Sequence, residues 1–180
     1  MTDQSQKKDA GKARYDLIPW ADITVTDQDY TPAQAIQAVR LWWSAKPHRF
    51  SISVPARQLP GIAAVLGFGT AKYAARGWEA GISFSRVFAA ATRHALAWAA
   101  GEHIDPESGL AHESHFWCNL VFLQAFAERG LTGGTFDDRP VADAKSVETL
   151  DRMHAVFAQL TGQQPVSSSG LVGAGGKGSN

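Results

Sequence analysis

The chain has 180 residues, 44% of them hydrophobic and 19% charged, and Lys plus Arg (17) balance Asp plus Glu (17). That fits one domain with an appendage, and the zero net charge excludes a global basic field of the kind that drives non-specific nucleic-acid binding. One cysteine, Cys118, excludes an intrachain disulfide framework and a zinc site on paired cysteines. The sequence has neither a secretory leader nor an apolar run of about 18 residues, so the expectation is a soluble, cytoplasmic protein without a membrane partner.

Residues 1–14 hold four Lys and Arg and few apolar side chains, which predicts a mobile leader anchored from Tyr15, Leu17, Ile18 and Trp20 onward. Thr31-Pro32 followed by apolar Ile36, Val39, Trp42 and Trp43 predicts a helix with a capping threonine and proline at its first position, stopped by Pro47. Residues 48–55 alternate Phe50, Ile52 and Val54 with polar side chains, a short half-buried strand ending at Pro55. A helix over 59–75 follows, weakened by Gly67 and Gly69. Gly77 and Gly81 bracket an irregular connection around Trp78 and Glu79.

A long helix capped by Ser83 or Ser85 then presents Phe84, Val87, Phe88, Ala91, His94, Ala95 and Trp98 along one stripe and ends at Gly101. After the turn-rich residues 101–109, Ser108 is expected to cap a helix from about Leu110 to Arg129, packed antiparallel on its predecessor. A last helix is expected over 141–160, with Val147, Leu150, Met153, Val156 and Phe157 at helical spacing. Residues 161–180, mostly Gly, Ser, Gln and Pro, read as a disordered tail. The domain plan is thus a leader over 1–14, a helical domain over 15–160 and a tail over 161–180.

The polar residues on the two central helices are the most informative feature. His94 lies on the apolar stripe of the first, and His112, His115, Asn119 and Phe122, spaced 3, 4 and 3, form one stripe of the second. Buried polar groups are costly unless hydrogen-bonded or bound to a ligand, and facing helices are a common place for metal sites. Glu102, Asp105 and Glu107 stand in the connection, so nitrogen and hard oxygen donors would suit Mg, Mn, Fe or Zn. The metal candidates are His94, Asp105, Glu107, His112 and His115. Ordinary turn and capping chemistry is the competing account of residues 105–109.

A second cluster, Lys72, Tyr73, Arg76, Trp78 and Glu79 with Arg93, sets cations beside aromatic rings that could hold phosphates and stack on a base. Solvated basic residues and a loop-anchoring Trp78 are the plainer reading. Residues 170–179 imitate a phosphate loop but lack its first glycine and its final Ser or Thr. Gly67-Phe68-Gly69 lacks the third glycine of a dinucleotide fingerprint, there is no His-Asp pair or serine-hydrolase elbow, and Cys118 sits in an apolar run as a core residue.

Residues 68–123 resemble the phage-borne dATP/dGTP diphosphohydrolase family. The resemblance lies in Gly69, Lys72, Tyr73 and Trp78, then Arg93, His94, Ala97, Trp98, Gly101 and Glu102, and finally Asp105-Pro106-Glu107-Ser108-Gly109, His112, His115 and Asn119. Residues 11–19 resemble the family's opening segment, and residues 20–58 then stand as an insertion. The resemblance implies a mainly α, MazG-like helical bundle, here with an inserted helix and a short β-strand. It also implies divalent-metal-dependent hydrolysis, with Mg or Mn, of dATP or dGTP to the monophosphate and diphosphate by a homo-oligomer.

Typical MazG-like enzymes hold magnesium with Glu-x-x-Glu and Glu-x-x-Asp. This chain offers Arg93-His94-x-x-Ala97 and His112-x-x-His115 instead, so that cage does not transfer. The expected roles are Glu102, Asp105 and Glu107 in catalysis, the five metal candidates above, and Lys72, Tyr73, Trp78, Arg93 and Asn119 for the deoxynucleoside triphosphate. The rival expectations are a non-catalytic helical protein that binds nucleotide or a partner, for which Trp42 and Trp43 would be surface candidates, and a hydrolase of another phosphoester.

Overall fold

In a computed structural model of the chain, the described residues are 13–43, 53–131 and 134–140, with single positions between 148 and 159. Leu17 and Ile18 are buried at the start, whereas Tyr15 and Trp20 stay largely exposed. Strand β1 (Thr24–Thr26), helix α1 (Pro32–Trp43) and strand β2 (Ser53–Pro55) form a small unit, with β1 and β2 parallel and Val25 paired with Val54. Parallel strands need a crossover, and α1 lies within it. Three residues are too few for β1 to show alternation, so it had no signal in the sequence. Residues 48–52 of the expected strand lie outside the described residues.

Helix α1 starts with a reciprocal cap. Gln34 N–H donates to Thr31 Oγ1 (3.3 Å) and Thr31 N–H donates to Gln34 Oε1 (2.8 Å). The helix buries Ala35, Ala38, Val39 and Leu41 and packs on the long helix α3 (Phe84–Ala99). Trp43, a surface candidate on sequence grounds, instead stacks on Phe88 of α3 with centroids 4.4 Å apart. The Trp42 side chain lies outside the described set.

Helix α2 (Leu59–Gly69) ends six residues before the expected Ala75. Thr70, just beyond Gly67 and Gly69, turns its hydroxyl back to the Gly67 carbonyl (2.7 Å), and the chain leaves in tight turns. Ile62, Ala63 and Leu66 are buried, and α2 packs on helix α4 (His112–Glu128). Gly61 permits that approach: a Cβ there would lie 2.8 Å from Ser114 Cβ.

Neither Ser83 nor Ser85 caps α3 with its hydroxyl. The donors at its N-terminus are met by residues 134–140, where the Phe136 carbonyl takes the Phe84 N–H (2.9 Å) and Asp138 Oδ1 takes the Ser85 N–H (2.8 Å). Beneath lies a sealed Asp137–Arg139 ion pair (2.8 Å), its guanidinium 5.6 Å from the centre of the Phe84 ring. At the same end Gly81 (φ +102°) leaves room for Phe136, which any Cβ would overlap.

Helices α3 and α4 run antiparallel as expected, because Phe84 stacks on Phe126 at one end (5.1 Å) and His94 meets His112 at the other. Phe116, Trp117, Leu120, Leu123 and Phe126 of α4 are buried in the core, Trp117 against Tyr30 (5.0 Å). Of the helix expected over 141–160, Glu148, Thr149, Arg152, Ala155, Val156 and Gln159 are helical, and Val156 is 54% exposed rather than buried. The rest of that helix, the leader through Lys12 and the tail lie outside the described residues. The architecture is the mainly α helical bundle that the resemblance implies, with an inserted helix region and a short two-stranded sheet.

Candidate active site

The α3–α4 connection is where polar groups gather. It closes as a small antiparallel pairing: Asp105 N–H donates to the Leu110 carbonyl (2.8 Å) and His112 N–H to the His103 carbonyl (2.9 Å). That pairing holds Ala111 extended, so α4 begins at His112, two residues later than expected and without a side-chain cap. Ser108 N–H (3.1 Å) and Oγ–H (2.7 Å) both turn toward Asp105 Oδ2, and Ser108 Oγ lies 2.6 Å from His115 Nε2.

Three imidazoles converge beside this turn. His94 lies parallel to His115, with centroids 4.5 Å apart and planes 12° apart, and 5.1 Å from His112. The His94 and His112 Nδ1 atoms are 2.8 Å apart, so one donates to the other. His112 Nε2 is buried without a hydrogen-bond partner, and Glu102 Oε1 lies 3.5 Å away. Such an orphan costs free energy unless a ligand or water meets it.

Burial sets the charge state. It pushes His94 down from 6.5 to about 4, with the His115 and His112 rings adding to the effect. Burial also lowers His115, only partly opposed by the Asp105 carboxylate. Burial would raise Asp105, but the Ser108 hydroxyl and N–H outweigh it and hold the carboxyl below its ordinary value. At neutral pH the cluster therefore contains neutral His94 and His115 beside an ionised Asp105, an arrangement able to take a proton from water.

The metal candidates divide. His94, His112, His115 and Asp105 come together, but Glu107 is drawn out to an ion pair with Lys72. The gathered donors are engaged with one another: the two Nδ1 atoms share a proton, and Ser108 occupies both Asp105 and His115 Nε2. Among the described residues no group of three or more His, Cys, Asp or Glu is arranged to hold a metal ion. The donor chemistry suits a cation, but the wiring does not fit one, and a resident ion would have to break those hydrogen bonds.

The second cluster is also divided. Lys72 lies 5.0 Å from the centre of the Phe68 ring, and its bond to Glu107 holds its ammonium above the ordinary value. Tyr73 beside it is 72% exposed and offers a free ring. Arg93 is exposed on α3 next to His94. Trp78 is buried, stacked on Phe122 (4.7 Å) with the Arg129 guanidinium 5.0 Å from its centre, which makes it a loop anchor instead of a base platform. Arg76, at φ 58°, pairs with Glu79. Asn119 Nδ2 donates to the His115 carbonyl one turn back (2.8 Å). Cys118 is buried with its thiol pushed up to about 12, a core residue as expected.

Ser108 is the site residue that sequence reasoning passed over as a cap. The signal was the three-residue spacing from Asp105, which suits a side-chain turn as well as a helix start.

A family model described as dATP/dGTP diphosphohydrolase, N-terminal, matches residues 41–139, more than half of the chain. It spans α2, α3, the histidine cluster, α4 and the strap at 134–139. It begins at Leu41, within the stretch set apart on sequence grounds as an insertion. No curated protein and no solved structure matches.

Proposed function

The chain belongs to the dATP/dGTP diphosphohydrolase family, and on that premise we propose that it hydrolyses deoxypurine nucleoside triphosphates to the monophosphate and diphosphate. The observation that supports this best is the imidazole cluster, with His94 and His115 neutral, beside ionised Asp105 and flanked by Lys72 and Arg93. In the reaction a water oxygen bonds to phosphorus at the α,β-anhydride, the anhydride P–O bond breaks, and the water's proton passes to a neutral imidazole, His94 or His115. Asp105 stabilises the imidazolium that results. Lys72, released from Glu107, and Arg93 neutralise phosphate oxygens, and the exposed Tyr73 ring stacks on the base. Glu102, beside His112 Nε2, orients the water.

The family is a metal-dependent class, and the divalent ion, Mg or Mn, enters as the counter-ion of the triphosphate substrate. An assembly of identical chains is part of the proposal, to be sized by analytical ultracentrifugation. The self-satisfied hydrogen bonds of the cluster and the Lys72–Glu107 pair favour one alternative, a helical protein that binds nucleotide without turning it over. A panel of deoxynucleoside and ribonucleoside triphosphates with Mg or Mn, with products identified, tests the reading. dATP and dGTP should release diphosphate, and His115→Ala should reduce kcat by about 10²–10⁴-fold at unchanged helix content. Nucleotide binding without turnover supports the alternative, and a nucleoside diphosphate product contradicts the reaction class.

A further inference from the structure

The geometry of Ser108 fixes more than the shape of the turn. Its Oγ lies between Asp105 Oδ2 (2.7 Å) and His115 Nε2 (2.6 Å) and also receives the Leu110 N–H (3.2 Å). A hydroxyl has one proton to give, and an ionised carboxylate can only accept. The proton therefore goes to Asp105; otherwise two oxygens without a proton between them would face each other. In the 2.6 Å contact the donor is then His115 Nε2–H. A neutral imidazole protonated at Nε2 carries its lone pair on Nδ1.

We propose that Ser108 is a positioning residue that holds His115 in its Nε2–H tautomer and so makes Nδ1 the basic nitrogen of the site. Asp105 acts on His115 through this hydroxyl, because its own oxygen lies 3.6 Å from Nε2, too far for a good direct bond. The inference deepens the hydrolytic reading and rests on it for one element only, the water whose proton Nδ1 receives. The tautomer itself is a property of the protein without substrate.

The test uses the full chain labelled with 15N-histidine, its His115 signals assigned by comparison with His115→Gln. Couplings of the two ring nitrogens to the ring protons at neutral pH distinguish the tautomers. Wild type should show His115 as Nε2–H. Ser108→Ala should lose that preference, with kcat for dATP or dGTP falling about 10–100-fold and KM little changed. Ser108→Thr keeps the hydroxyl and should restore both tautomer and kcat, which a loss through misfolding would not predict.

An Nδ1–H tautomer in wild type overturns the inference, as does a Ser108→Ala variant with unchanged tautomer and unchanged kcat. The two readings fail separately. A tautomer shift in a protein that turns over no nucleotide leaves Ser108 in its role and removes the hydrolase reading. Turnover with the opposite tautomer does the reverse.

Discussion

Acidification should unfold this protein earlier than its carboxylates alone dictate. His94 is held down at about 4 in the folded chain against 6.5 when free, by burial first and by the His115 and His112 rings second. Between those values the unfolded chain binds the extra proton and the folded chain does not, so stability rises with pH across the window and is lost as pH falls from 6.5 toward 4. Undiminished, the displacement would correspond to about 3 kcal/mol. The ring is only half-buried, and solvent screening reduces that to about 1–2 kcal/mol. His115 is displaced in the same direction and adds to the slope.

Asp105 and Asp138 are held below 3.8, so their losses fall at lower pH and leave the window to the imidazoles. Urea denaturation of wild type at pH 7.0, 6.0, 5.0 and 4.5 measures the slope, with His94→Gln as the control that should flatten it. A wild-type stability constant from 6.5 to 4.5, or the same slope in His94→Gln, would refute a cluster of neutral, packed rings.

Three further outcomes are expected. Asp138→Ala removes the acceptor of the Ser85 N–H and should cost about 1 kcal/mol in urea titration, whereas Asp138→Asn retains most of it. Gly61→Ala forces a methyl against Ser114 and should cost about 1–3 kcal/mol, less the gain of about 1 kcal/mol in helix propensity; the double variant with Ser114→Gly should recover stability, and a stabilised single variant would show that α2 and α4 sit farther apart. In steady-state kinetics at low salt, Lys72→Ala should raise KM for the triphosphate, and Glu107→Gln should lower it by up to about fivefold by freeing Lys72 from an exposed pair; 0.5 M salt should erase the Glu107 effect.

The long central helices were legible because their apolar spacing is the same thing as their packing: Phe84, Val87, Ala91 and Ala95 of α3 are all buried. Thr31 and Pro32 likewise announced α1 through local chemistry, to which the structure adds the reciprocal bond from Gln34. What escaped was decided by distant partners. The N-terminus of α3 carried two plausible serine caps, yet Phe136 and Asp138, some fifty residues on, took those donors. Strand β1 exists because β2 lies beside it, and α2 stops at Thr70 through a hydroxyl that competes with the helix for a carbonyl.

The site followed the same rule. Helical spacing placed His94, His112 and His115 in one layer, and they do meet, because periodicity fixes which face a side chain occupies. Spacing does not fix which atom of a ring meets which neighbour, and on that the chemistry turns. Grouping five donor residues suggested a cation; the hydrogen bonds join Asp105 to Ser108, Ser108 to His115, and His94 to His112. Glu107, only two residues from Asp105, points instead to Lys72, since in a tight turn successive side chains leave in different directions. A carboxylate cage draws its strength from several anions held close, and only a cation offsets their repulsion. Neutral imidazoles at the same helix positions repel one another far less and can satisfy each other through shared protons. Histidines on these two helices therefore change what the folded protein needs without a ligand: the cluster can be assembled from its own hydrogen bonds, with His112 Nε2 left without a partner.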